Sequence, residues 1–99
     1  MADDFPVQLV IRDAATSDPE ARAVWAELQS DRLKGMTLFA RALHDNGHLH
    51  PDISTTEARD VPWTYNSAEL FQLLVLERGW SAKLYGKWVA NALIAALVG

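Results

Sequence analysis

The chain has 99 residues and a net charge of −4, is nearly half apolar, and holds four tryptophans but no cysteine. That length suits one domain rather than two. No apolar run approaches the roughly 18–20 residues of a membrane span. Disulfides and thiolate metal sites are excluded, in keeping with a reducing cytoplasm, and the acidic Met1–Asp4 start gives no sign of a signal peptide.

Acidity is concentrated in residues 1–60, where eleven acids face six Lys and Arg. The basic stripe that nucleic-acid binders use to neutralise phosphates is missing, so the chain alone is not expected to bind DNA.

The periodicity is helical almost throughout, and no stretch alternates strictly as a half-buried strand would. A first helix is expected over Phe5–Ala15, with Pro6 in the first turn, where a missing N–H costs nothing. A second runs from Pro19 to Asn46 and is stopped by Gly47; either Asp18 or a Ser17/Glu20 capping box starts it. Its apolar stripe reads Ala21, Trp25, Leu28, Met36, Phe39 and Leu43, with Arg32 filling the one gap. After a loop at residues 48–52, Ser54 and Glu57 open a third helix that reaches at least Trp63 despite Pro62. Ser67 then caps a fourth segment, Ala68–Arg78, closed by Gly79. Ser81 caps the last helix, Ala82–Val98.

The last two helices are apolar on more than one side. Leu70–Leu76 is interrupted only by Gln72, while Ala82–Val98 combines a main stripe with Ile94 and Val98 on another side. Gly86 and Ala90 are small enough to admit a neighbouring helix. Leaving so much apolar surface wet would be unusual for a soluble monomer. A homodimer is expected, through Leu70, Leu73, Leu74, Tyr85, Val89, Ala90, Leu93, Ile94 and Leu97. The alternative is one fully buried central helix beside an ordinary amphipathic one.

Several segments together carry a resemblance. They are Ala21–Leu28, Arg32-Leu33-Lys34-Gly35-Met36, Asp60–Phe71 with its Pro-Trp-Thr-Tyr-Asn-Ser core, Leu74–Ser81, and Tyr85-Gly86-Lys87-Trp88-Val89-Ala90. Over about residues 13–98 the chain resembles the C-terminal regulatory domain of tetracycline-repressor-type (TetR-type) transcription regulators. The resemblance implies an all-α antiparallel bundle, dimerising through its last two helices, with a small-molecule effector pocket among the inner ones. It implies DNA contact only through a helix-turn-helix head. No such head is recognisable in Met1–Asp60, so a fragment or a naturally headless relative is expected. The family has a leucine-like residue at the Pro62 position. Proline there predicts a kink, and a carbonyl at Ala58 freed of its usual donor.

Catalytic and metal chemistry have little support. No cysteine or serine elbow is present, and Gly47 separates His44 from His48 and His50, so these read as a solvated helix end. Neither a cofactor nor a metal is expected. A ligand pocket is the better case, since such sites are mostly apolar with a few orienting polar groups. Trp25, Leu28, Met36, Phe39, Trp63 and Phe71 are the candidate lining, and Arg32, Tyr65 and Asn66 the candidate hydrogen-bonding groups. Against this, the aromatics could simply fill the core and Arg32 could snorkel along the surface. Two functions follow: the effector-binding and dimerisation domain of a regulator, or an interaction protein acting by homo- or hetero-dimerisation with no ligand.

Overall fold

The computed structural model describes residues 4–99. Its regular elements are α1 (Phe5–Ala14), α2 (Pro19–Asp45), α3 (Thr55–Tyr65), a single α-turn α4 (Ala68–Phe71) that continues as a π-helix (Gln72–Glu77), and α5 (Ala82–Leu97). Among the described residues there is no strand, and the sole β-type pairing is an isolated bridge between Leu49 and Val98. No helix among them is long and apolar enough to cross a membrane.

Helix starts follow the side-chain caps. Asp18 accepts the Glu20 N–H at 2.9 Å, which decides the start of α2 in favour of Asp18. The hydroxyls of Ser54, Ser67 and Ser81 accept from the N–H groups of Glu57, Leu70 and Leu84. Each such cap satisfies one orphan donor of a first turn and stabilises its helix by about 1 kcal/mol. At the other end of α2, Gly47 adopts φ 74°, and the His48 N–H reaches back to the Leu43 carbonyl at 2.9 Å. The left-handed residue lets the chain reverse and pair off carbonyls that the helix leaves open.

The expected α-helix over Ala68–Arg78 is corrected. Only its first turn is α-helical, and Gln72–Glu77 winds as a π-helix. Gly79, at φ 77°, closes it, with the Trp80 N–H bonding to the Leu74 carbonyl six residues back. That is one residue further than the usual bond of a glycine-closed α-helix end. α5 also stops one residue short of Val98, which leaves the helix for the bridge to Leu49. There the His50 N–H donates to the Leu97 carbonyl at 2.7 Å, and the Gly99 N–H to the His48 carbonyl at 3.1 Å.

The helices form a thin layer, 44 × 30 × 17 Å, with a radius of gyration of 14.8 Å. A compact domain of this length would have about 12.6 Å. The core is correspondingly divided. One cluster joins Phe5 and Leu9 of α1 to Ala68, Phe71, Tyr85 and Val89. The other is Ala40, Ala58 and Leu97, where α5 crosses the α2–α3 hairpin. Leu93 packs against both.

The break between α3 and α4 is held from both sides. The Tyr85 hydroxyl donates to the Tyr65 carbonyl and accepts the Ser67 N–H at 3.3 Å. From α2, Arg32 Nη2 donates to the carbonyls of Trp63 at 2.8 Å and Asn66 at 2.7 Å. Tyr85 is only 1% exposed and Ser67 is buried, so water cannot substitute. Tyr85→Phe, which keeps the ring and removes the oxygen, is expected to destabilise the fold by about 1–3 kcal/mol in urea titration, the cost of a buried group left unpaired. A loss below about 0.5 kcal/mol, the lower end for an ordinary hydrogen bond, would mean that the break is held elsewhere.

Candidate ligand site

Between the two core clusters lies an open cavity of about 710 Å³. Phe5 and Gln8 line it from α1, and Leu28, Arg32, Gly35, Met36 and Phe39 from the middle of α2. Pro62 and Asn66 contribute from α3 and its end, and Gly86, Val89, Ala90 and Leu93 from α5, with Asp4 and Asp31 completing the border. The space follows from side-chain size and spacing. On α2, 27 residues long, the sole fully buried residue is Ala40. Gly35 and Gly86 have nothing within 4 Å of where a Cβ would stand, so both walls recede.

Of the expected ligand-contacting residues, Leu28, Arg32, Met36, Phe39 and Asn66 do meet at this cavity. The others do not line it. Phe71 is in the core, its ring 5.4 Å from that of Phe5 and 6.0 Å from that of Tyr85. Tyr65 packs on Trp88 at 5.2 Å. Trp25 is only partly buried and lies outside the lining, and Trp63 sits behind it, beneath Arg32. Aromatic rings that could have faced a ligand are instead what holds α1, α4 and α5 together.

The expected dimer residues divide as well. Tyr85 and Leu97 are each 1% exposed and belong to the two core clusters, so neither is available to a partner. Tyr85 turns inward because its hydroxyl is consumed by the α3–α4 break, and Leu97 because the end of α5 lies over Ala40 and Ala58. Val89, Ala90 and Leu93 border the cavity, and Leu70 and Leu74 are partly buried against the first cluster. Leu73, at 54% exposed, and Ile94, at 59%, remain on the outside, as do Leu76 and Leu84.

Phe5, Gln8, Gly35, Pro62 and Gly86 were not expected at the site. A two-sided apolar pattern on α5 does not say which side meets α1, so the participation of α1 had no sequence signal. Pro62 had one, as the helix-interior proline. The helix nevertheless runs through it, and the Asn66 N–H bonds to the Pro62 carbonyl at 2.9 Å. Pro62 is fully buried, and its ring forms part of the cavity wall.

Polar groups around the cavity are few. Gln8 is 9% exposed, and its Oε1 has no hydrogen-bond partner. Arg32 is half-buried, its guanidinium 5.4 Å above the Trp63 ring, and Nη1 donates to Gln29 Oε1. Burial pulls its pKa below the usual guanidinium value, opposed by the negative field of Glu69. The Tyr85 hydroxyl is pushed up, chiefly by burial. Away from the cavity, His44 pairs with Asp45 and His50 Nδ1 accepts the Asp52 N–H; among the described residues no cluster of His, Cys, Asp or Glu could hold a metal ion.

Compared with protein-family models, curated proteins and solved structures, the chain matches none of them.

Removing the Arg32 fork should be costly. Arg32→Ala leaves the Trp63 and Asn66 carbonyls without their donor, and a loss of about 2–4 kcal/mol is expected by chemical denaturation. Arg32→Lys, a flexible point charge in place of a planar fork, should recover only part of it. Full recovery with lysine would show that charge, rather than the paired carbonyl contacts, is what the break requires.

Proposed function

We propose that this chain is the effector-binding and dimerisation domain of a TetR-type transcription regulator, taking a small apolar molecule into the cavity between α1, α2, α3 and α5. The cavity itself carries the reading. At about 710 Å³ it falls in the range of roughly 300–1,000 Å³ typical of small-molecule sites, and its walls are apolar with few polar groups. An interaction protein without a ligand would have no use for two glycines set back from a space between its cores. The family assignment draws on the segment resemblance and on the all-helical architecture, in which α5 crosses the α2–α3 hairpin.

Dimerisation is the second part of the proposal. The layer is too thin to cover both sides of its last two elements. Leu73 and Leu76 on the π-helix and Leu84, Ile94 and Val98 on and just after α5 stay in solvent. A second copy related by twofold symmetry would bury the same residues on both sides at once.

Gly86→Leu separates ligand binding from folding. Nothing lies within 4 Å of a Cβ at this position, and exchanging an interior helix glycine for a better helix former is worth about 0.8–1.0 kcal/mol. The variant should therefore fold at least as well as the native chain while its side chain fills the cavity. In a thermal-shift screen of apolar and aromatic acids and alcohols, compounds that stabilise the native chain should lose their effect. A hit equally effective on both would lie elsewhere.

For the dimer, sedimentation at micromolar concentration should give twice the monomer mass, and Ile94→Glu should yield monomers. A native chain that stays monomeric at high concentration would remove this part of the proposal and leave the cavity untouched.

A further inference from the structure

Arg32 is the only cation bordering the cavity among the described residues, and it is not in an ion pair there. Among the described residues Arg12 pairs with Asp13 and Arg59 with Asp60, and the His44–Asp45 and His50–Asp52 contacts are ion pairs only when the imidazole is protonated. None brings a carboxylate to Arg32. A guanidinium offers five N–H donors. Three are spent on Gln29 Oε1 and the Trp63 and Asn66 carbonyls, and two remain.

Glu69 offsets part of the burial through its field but forms no ion pair with Arg32, and the groups beside the guanidinium are donors. Gln29 Nε2 and Trp63 Nε1 are buried donors that meet no acceptor. Arg32 is therefore a half-buried positive charge at this end of the cavity, and the unpartnered groups behind it are donors rather than acceptors. A charge taken out of water without a counter-charge is costly, and an anion arriving from solution can supply the missing partner. The border also holds Asp4 and Asp31, but both side chains are exposed, where water and salt screen them. Gln8 sets no preference, because an amide can rotate to offer either its oxygen or its nitrogen.

Resting on the cavity being a ligand site, we infer that its occupant is an apolar carboxylic acid, with the carboxylate paired to Arg32 and the hydrocarbon body against Met36, Phe39 and Leu93. The spent Nη2 hydrogens hold the guanidinium in place before the ligand arrives, so its charge is preorganised and binding need not order a long side chain.

Decanoate, 1-decanol and decylamine share one chain and differ in the head group, so titrating each into the full chain by calorimetry isolates the charge. Decanoate is expected to bind at least tenfold more tightly than decanol, and decylamine more weakly than either. In Arg32→Gln the preference for acid over alcohol should collapse to within about twofold. Because that variant also loses a structural contact, the native chain supplies an independent reading. The carboxyl carbon of labelled decanoate, followed by NMR against pH, should titrate below its ordinary range when bound, as a carboxylate beside a cation does.

Equal affinity of decanoate and decanol, or a bound carboxyl that titrates above its free value, overturns the proposal while the cavity remains a ligand site. Failure of all three to bind overturns both.

Discussion

Everything in this fold hangs on a gap in the backbone hydrogen bonding between Tyr65 and Ala68. The chain leaves α3 there and restarts one turn later, and the carbonyls at a helix end have no partner within the helix. Two side chains from distant parts of the sequence supply the donors: Arg32 from the middle of α2, and Tyr85 from the first turn of α5. Each bond fixes the broken backbone to a neighbouring helix. Arg32 ties α2 to the end of α3, and Tyr85 ties α5 to the start of α4. Packing the Tyr85 ring edge-on against Phe5 and Phe71 then brings in α1. The order of dependence is thus backbone satisfaction first, aromatic packing second.

The cavity is a by-product of the same arrangement. With Arg32 reaching across to the α3 terminus, the centre of α2 is held beside the break, and no residue there is fully buried. The aromatic cluster forms on one side and the small-residue contact of Ala40, Ala58 and Leu97 on the other. What lies between is walled by side chains that reach it from four directions and do not fill it.

Helix existence and boundaries were legible because they are written in local chemistry. Asp18, Ser54, Ser67 and Ser81 act within three residues of themselves, and Gly47 and Gly79 take the one backbone conformation that few other residues tolerate. The π-helical stretch was not legible. Leu70–Leu76 is apolar on nearly every side, so widening the helix exchanges one apolar neighbour for another and leaves no mark on the pattern. The inward turn of Tyr85 was hidden for a related reason: its determinant is a backbone acceptor 20 residues away. At the site, the α2 stripe pointed to Leu28, Arg32, Met36 and Phe39, because a single amphipathic face defines a direction. The aromatics misled, since a large ring between helices reads the same whether it touches a ligand or another ring.

A body with two small cores that share Leu93 has a seam. Hydrophobic burial is cooperative only where contacts are contiguous, and regions joined by few contacts open separately. The α2–α3 hairpin, with the Leu49–Val98 pairing at its tip, forms one such unit, and α1 with the aromatic cluster forms the other. α5 contributes to both, through Tyr85 and Val89 in one and Leu97 in the other, and α1 packs on α2 across the same seam. The cavity lies along that seam, and any molecule seated in it adds contacts between the two cores. Occupancy would therefore be felt far from the cavity, as a merging of two openings into one.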